Sequence, residues 1–125
     1  MDAFATTGRI QHPLITVAGT MDSLLPFNHH ARAYARKVAA ARDEDTRNAP
    51  AYRLYEVQNG NHIDAYKPLL AQREYIEPHA RRAFNLLVDH VKYGASLPPE
   101  QCVSRGGAIG NSPIQPGHCE SLLAP

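Results

Sequence analysis

Leu14-Ile-Thr-Val-Ala-Gly-Thr-Met-Asp-Ser-Leu-Leu-Pro26 and Tyr52-Arg-Leu-Tyr-Glu-Val-Gln-Asn-Gly-Asn-His-Ile-Asp64 decide how this chain folds. Each is a short apolar run that breaks into a polar turn. Pro13 opens the first run, and Leu14, Ile15, Val17 and Ala18 make it almost continuously apolar, the composition of a strand buried on both faces of a parallel sheet. Tyr52 to Val57 reads as a second strand, with Leu54 and Val57 among aromatics. The first turn carries Asp22 and the second carries His62, forty positions later.

Two parallel strands need a crossover. A helix over 28–42 supplies it, with Asn28 as its cap and Ala31, Tyr34, Ala35 and Val38 on one face. Asp43-Glu44-Asp45-Thr46-Arg47-Asn48 reads as a solvated loop, and 58–77 as a long loop around Asn59-Gly60-Asn61-His62. Pro78 then suits the first turn of a second helix, with Glu77 near its positive end and Gly94 as its stop. Ala80, Ala83, Phe84, Leu87, Val88 and Val91 form an apolar stripe expected to pack on the sheet. From Ser96 onward Pro, Gly and Ser dominate, which predicts an extended or coil tail.

The fold class is therefore α/β. Two strands and two helices are too few to cover both faces of a buried sheet, and the first strand is too apolar for an open edge. Further strands are expected from upstream polypeptide or from another copy of the chain.

The chain has 125 residues, enough for one core, and a formal net charge of +1 with mixed signs, which gives no reason to expect nucleic acid. The hydrophobic share of 43% is ordinary, and no apolar run approaches the roughly 20 residues that span a bilayer. The opening MDAFATTGRI lacks a basic region followed by an apolar stretch, so it does not read as a signal peptide. Cys102 and Cys119 are close enough in sequence for a disulfide, which would contribute about 3 kcal/mol and imply an extracellular or periplasmic setting. Spacing alone leaves two unrelated thiols equally open.

Asp22 lies just past the first strand, where a carboxylate can accept the Nδ1 hydrogen of an imidazole, fix its tautomer and stabilise the imidazolium. The plain alternative is an Asp that caps its own turn. His62 sits in a tight Asn-Gly turn that projects its side chain, where it can take a proton from a nucleophile and return it to a leaving group. A surface histidine is the alternative. The pairing of the two motifs favours the catalytic reading. Asp64 reads as a solvated carboxylate or a loop-orienting one. Ser23 is not in a nucleophile turn. Tyr52, Tyr55, Tyr66 and Tyr75 read as packing residues. A metal site from His29, His30, His62 and Asp64 is disfavoured, because adjacent histidines diverge on a helix and no His-x-x-x-His or Cys-x-x-Cys pair occurs. No cofactor is expected.

Strand-end acid followed by strand-end histidine is the order in which α/β-hydrolases place two members of a Ser-Asp-His triad. The resemblance goes further. LITVAGTMDSLLPFNHHARAYARKV, YRLYEVQNGNHIDAY and REYIEPHARRAFNLLVDHVKYGASLPPEQCVSRGG are similar to the C-terminal portion of the 3-hydroxybutyrate oligomer hydrolases. The Asp-x-Leu-x-Pro and Asn-Gly-x-His-x-Asp motifs carry it, and tannase-like and feruloyl esterases share a comparable arrangement. The resemblance implies a partial α/β-hydrolase fold over 1–95 with a Pro/Gly-rich tail over 96–125, and a serine esterase acting on small-molecule esters. Asp22 then matches the triad acid and His62 the triad histidine. A Gly-x-Ser-x-Gly turn is missing from the sequence, so the nucleophile is expected on other polypeptide. The competing readings are a non-catalytic domain that oligomerises through its sheet edge and, more remotely, a small metal-binding protein.

Overall fold

In a computed structural model the described residues are 6–45, 49–66, 68–111 and 119. They form β1 (Leu14–Gly19), α1 (Ala31–Glu44), β2 (Tyr52–Val57), α2 (Glu77–Tyr93) and β3 (Gln101–Val103). The three strands make one parallel sheet in the order β1-β2-β3. Leu14 pairs with Tyr52 and Gly19 with Val57, so β1 and β2 end at the same level. That level is where the site is built.

Side chains alternate across a strand, and each face of the sheet takes one helix. On one face Tyr52 and Leu54 pack with Val38 of α1, joined by Leu14, Ala18, Tyr34 and Ala35. On the other, Tyr55 and Val103 pack with Ala83 of α2, joined by Ile15, Val17 and Leu86. Two helices thus do reach both faces, contrary to the expectation from counting elements. The reason is geometric: the sheet is narrow, and β2, its most buried strand, lies at the centre. β1 was expected to be buried on both faces. It is half-buried instead, and among the described residues no strand pairs with its outer edge.

The crossover helix starts later than Asn28. Its N-cap is His30, with no side-chain cap, and the Asn28 Oδ1 accepts from Arg32 Nη1 at 3.1 Å instead. Arg32 explains the shift. Its guanidinium grips Glu56 of β2 in two bonds, Nε to Oε1 at 2.6 Å and Nη2 to Oε2 at 2.8 Å, and lies 4.5 Å from the Phe27 ring centroid. This forked ion pair anchors the first turn of α1 to the sheet. At the other end the helix takes in Asp43 and Glu44, expected in a loop, while residues 46–48 lie outside the described set.

α2 has the expected bounds. Gly94 adopts φ 69° and donates its amide to the carbonyl of His90 at 3.0 Å, a left-handed stop that glycine accommodates without strain. The predicted stripe is rotated, however. His79 and Ala83 are buried and Leu86 packs on the core, whereas Phe84 is 66% and Val91 64% exposed. Neighbouring positions on a helix differ by about 100°, so a one-residue offset selects a different face.

The stretch read as coil tail contributes a strand. Cys102 pairs with Glu56 in β3, Leu54 donates its amide to Glu100 Oε1 at 3.0 Å, and Ile109 is buried in the core. Cys102 and Cys119 are bridged. Residues 112–118 and 120–125 of that tail lie outside the described set. Among the tyrosines, Tyr52 and Tyr55 are packed, while Tyr75 is exposed rather than packed. The side chain of Tyr66 lies outside the described atoms. Among the described residues, no helix is long and apolar enough to cross a membrane.

Candidate active site

The turns after β1 and β2 are built against each other. Gly19 and Gly60 allow it: a Cβ on Gly19 would stand 2.3 Å from the Gly60 carbonyl carbon and oxygen. The ladder continues past the strand ends, with Thr20 N to Val57 O at 3.0 Å and Met21 N to Gly60 O at 2.9 Å. The Thr20 hydroxyl accepts the Asn59 amide at 3.0 Å, across the same seam. Asn59 itself turns the chain with φ 61°, a conformation that asparagine tolerates.

This seam brings the two predicted residues together. Asp22 Oδ2 lies 2.9 Å from His62 Nδ1. The other carboxylate oxygen, Oδ1, accepts the amides of Leu24 at 2.9 Å and Leu25 at 2.8 Å. Asp22 therefore plays both roles considered from sequence: it caps its own turn with one oxygen and orients an imidazole with the other. Burial alone would push its carboxyl up. The Leu25 amide, the His62 ring and the Leu24 amide outweigh that and hold it below the usual carboxylate range. An ionised Asp22 only accepts, so the His62 ring donates its Nδ1 hydrogen, and the neutral ring then carries its free lone pair on Nε2. That is the arrangement a general base requires.

The side chain of Asp22 is 11% exposed and that of His62 is 40% exposed. The acid is screened and the histidine is open on its outer side. A groove of about 520 Å³ runs along β1 and α1 past the pair, lined by Val17, Asp22, His30, Tyr34 and His62 among others. His62 also lines a recess of about 200 Å³ together with Ser23, Leu24, Asn61, Leu70 and Arg73.

Other residues hold this geometry. Arg73 Nη1 donates to the Met21 carbonyl at 2.6 Å, Asn59 Nδ2 donates to the Gln72 carbonyl at 3.2 Å, and Glu74 N donates to the Asn59 carbonyl at 3.0 Å. The loop after His62 is thereby folded back onto both turns. Asp64 is not a solvated carboxylate. Its two oxygens accept the amides of Ile76 at 2.6 Å and Glu77 at 2.9 Å, which places it on the N-terminus of α2. Ser23 donates its hydroxyl to Asn61 Oδ1 at 3.4 Å. His29 and His30 line the same groove as His62, but among the described residues no group of three or more His, Cys, Asp or Glu side chains is placed to hold a metal ion. Sequence reasoning missed Arg73 altogether, since an arginine in a loop has no local signature. Gly60 was read only as part of a tight Asn-Gly turn, and no local pattern marks its close approach to Gly19.

A family model described as 3HB-oligomer hydrolase (3HBOH) matches residues 1–121. The chain belongs to this family. Curated relatives of the 3HB-oligomer hydrolase family include D-(-)-3-hydroxybutyrate oligomer hydrolases of Burkholderia mallei strains SAVP1 and NCTC 10229 and of Burkholderia pseudomallei strain K96243. Each is 37% identical over 120 residues, covering 90% of this chain and 17% of the relative. The chain thus spans about a sixth of their length. No solved structure matches it significantly.

Proposed function

We propose that this segment is the part of a serine ester hydrolase that supplies the acid and the histidine of a catalytic triad, acting on oligomers of 3-hydroxybutyrate. The observation that carries the reading is the 2.9 Å contact between Asp22 Oδ2 and His62 Nδ1 at the ends of two neighbouring parallel strands. Family membership and the name of the relatives support the substrate class. The sheet, read as the last strands of an α/β-hydrolase over 1–95 with Gln101–Val103 of the Pro/Gly-rich stretch 96–125 added at its edge, supports the fold assignment.

In this reading His62 Nε2 removes the proton from a serine hydroxyl as that oxygen attacks the ester carbonyl. The imidazolium then protonates the departing hydroxyl oxygen of the oligomer. Water repeats the cycle on the acyl-serine and releases the acid. Asp22 stays ionised and stabilises the imidazolium throughout. The serine comes from polypeptide outside this chain, either the upstream part of a longer protein or a partner chain.

The test is direct. The isolated chain is incubated with a short p-nitrophenyl ester and with a serine-reactive phosphonate. Absence of both turnover and labelling is expected. Labelling at a serine of this chain would overturn the assignment of the nucleophile to other polypeptide.

A further inference from the structure

We infer that Asn61 is a positioning residue, whose side-chain carbonyl latches the Asp22 turn to the His62 turn and sets the contact between them. The inference rests on the triad reading above. Asn61 Oδ1 accepts the Ser23 amide at 3.2 Å and the Ser23 hydroxyl at 3.4 Å. Ser23 follows the acid and Asn61 precedes the histidine, so this tie lies one residue from the Asp22–His62 contact on both segments. Met21 N to Gly60 O, at 2.9 Å, is the tie on the other side of Asp22. Two hydrogen bonds thus join the same two turns, flanking the acid on its own segment and lying just ahead of the histidine on the other.

The Asn61 tie supplies a constraint that the other contacts lack. Leu24 and Leu25 fix Asp22 within its own turn, not relative to His62. The Asp22–His62 bond alone is a weak constraint, because the histidine side is half open to water and exposed ion pairs contribute little. Asn61 is 5% exposed, so the acceptor end of this part-buried tie is screened from water, and such a bond holds geometry better than a fully solvated one. Ser23 is exposed, so the tie secures the catalytic turn by its amide without burying it.

Nitrogen-15 NMR of the isolated chain above the titration range of histidine decides the matter. The wild-type His62 ring is expected in the Nδ1–H form. Asn61→Ala should move it toward the Nε2–H mixture of a free imidazole, while the amide signals of Val57 and Ala83 stay in place. Asn61→Asp, which keeps an acceptor at the same reach, should restore the Nδ1–H form. An unchanged ring in Asn61→Ala would overturn the latch. Asp22→Asn is the separate control: if that change leaves the ring unaltered, the acid–histidine reading itself fails. Should Asn61→Ala not fold, the wild-type chain still decides. Its Ser23 amide should exchange about tenfold or more slowly than in an unstructured chain. Exchange at the unstructured rate would refute the latch.

Discussion

Gly19 and Gly60 meet backbone to backbone where β1 and β2 end, so closely that a methyl group on Gly19 would stand 2.3 Å from the Gly60 carbonyl. This contact lets the two turns abut and puts Asp22 within reach of His62. Gly19→Ala must push the turns apart, because the obstructing atoms are backbone and cannot rotate away. A loss of about 1–3 kcal/mol is expected, typical of overpacking. Urea unfolding measures it, with Gly110→Ala as a control, since the nearest atom there is the Ala108 carbonyl oxygen at 3.9 Å. Equal midpoints for the two variants would show that the seam tolerates a side chain.

Removing either member of the pair should abolish chemistry without unfolding the sheet. In an enzyme of the relatives' full length carrying this segment, His62→Ala should lower turnover by several orders of magnitude, because triad members act as a unit. Asp22→Asn keeps an oxygen for the Leu24 and Leu25 amides but presents the wrong group to Nδ1. The equivalent change in a serine protease costs about 10⁴ in kcat. Ester hydrolysis assays on purified variants check both, and an active His62→Ala enzyme would remove the assignment.

Acid should destabilise the fold in two stages. His79 is buried in the first turn of α2, and burial holds its ring below the usual histidine range, against the opposing pull of Glu74 and Asp64. The unfolded chain therefore takes up a proton that the folded one resists. Stability contributed by the neutral ring is present above about pH 6.5 and is lost as pH falls below it. Asp22 is also lowered, and its contribution persists to more acid pH before it too is lost. Urea midpoints at pH 7.5 and pH 5 should differ in the wild type and differ less in His79→Gln. The same difference in both proteins would show that His79 does not report on folding.

The Cys102–Cys119 bridge closes a span of 17 positions and ties Cys119 to β3. For loops of this size the stabilisation is about 3 kcal/mol. Reduction, or Cys119→Ser, should lower the urea midpoint accordingly. Free thiols in the chain purified from an oxidising compartment would argue against the bridge.

Both strands were legible from sequence, as were the approach of Asp22 to His62 and the bounds of α2. These features are local: apolar runs, turn residues, Pro78 near one helix end and Gly94 at the other. The start of α1 was misplaced for the opposite reason. Arg32 draws its first turn to Glu56, a residue 24 positions away, and no cap motif records that.

Local patterns along the chain were enough for the family, the α/β class and the two residues that meet at the strand ends. The packed fold chose which face of α2 is buried, that β2 rather than β1 is central, that residues 101–103 add β3, and that Asp64 caps α2. It also decided which side chains, Asn61 and Arg73 among them, tie the turns. The division has one cause. Local patterns encode the state of a segment, whereas the choice of face, neighbour and hydrogen-bond partner is made among distant groups competing to be buried and satisfied at once.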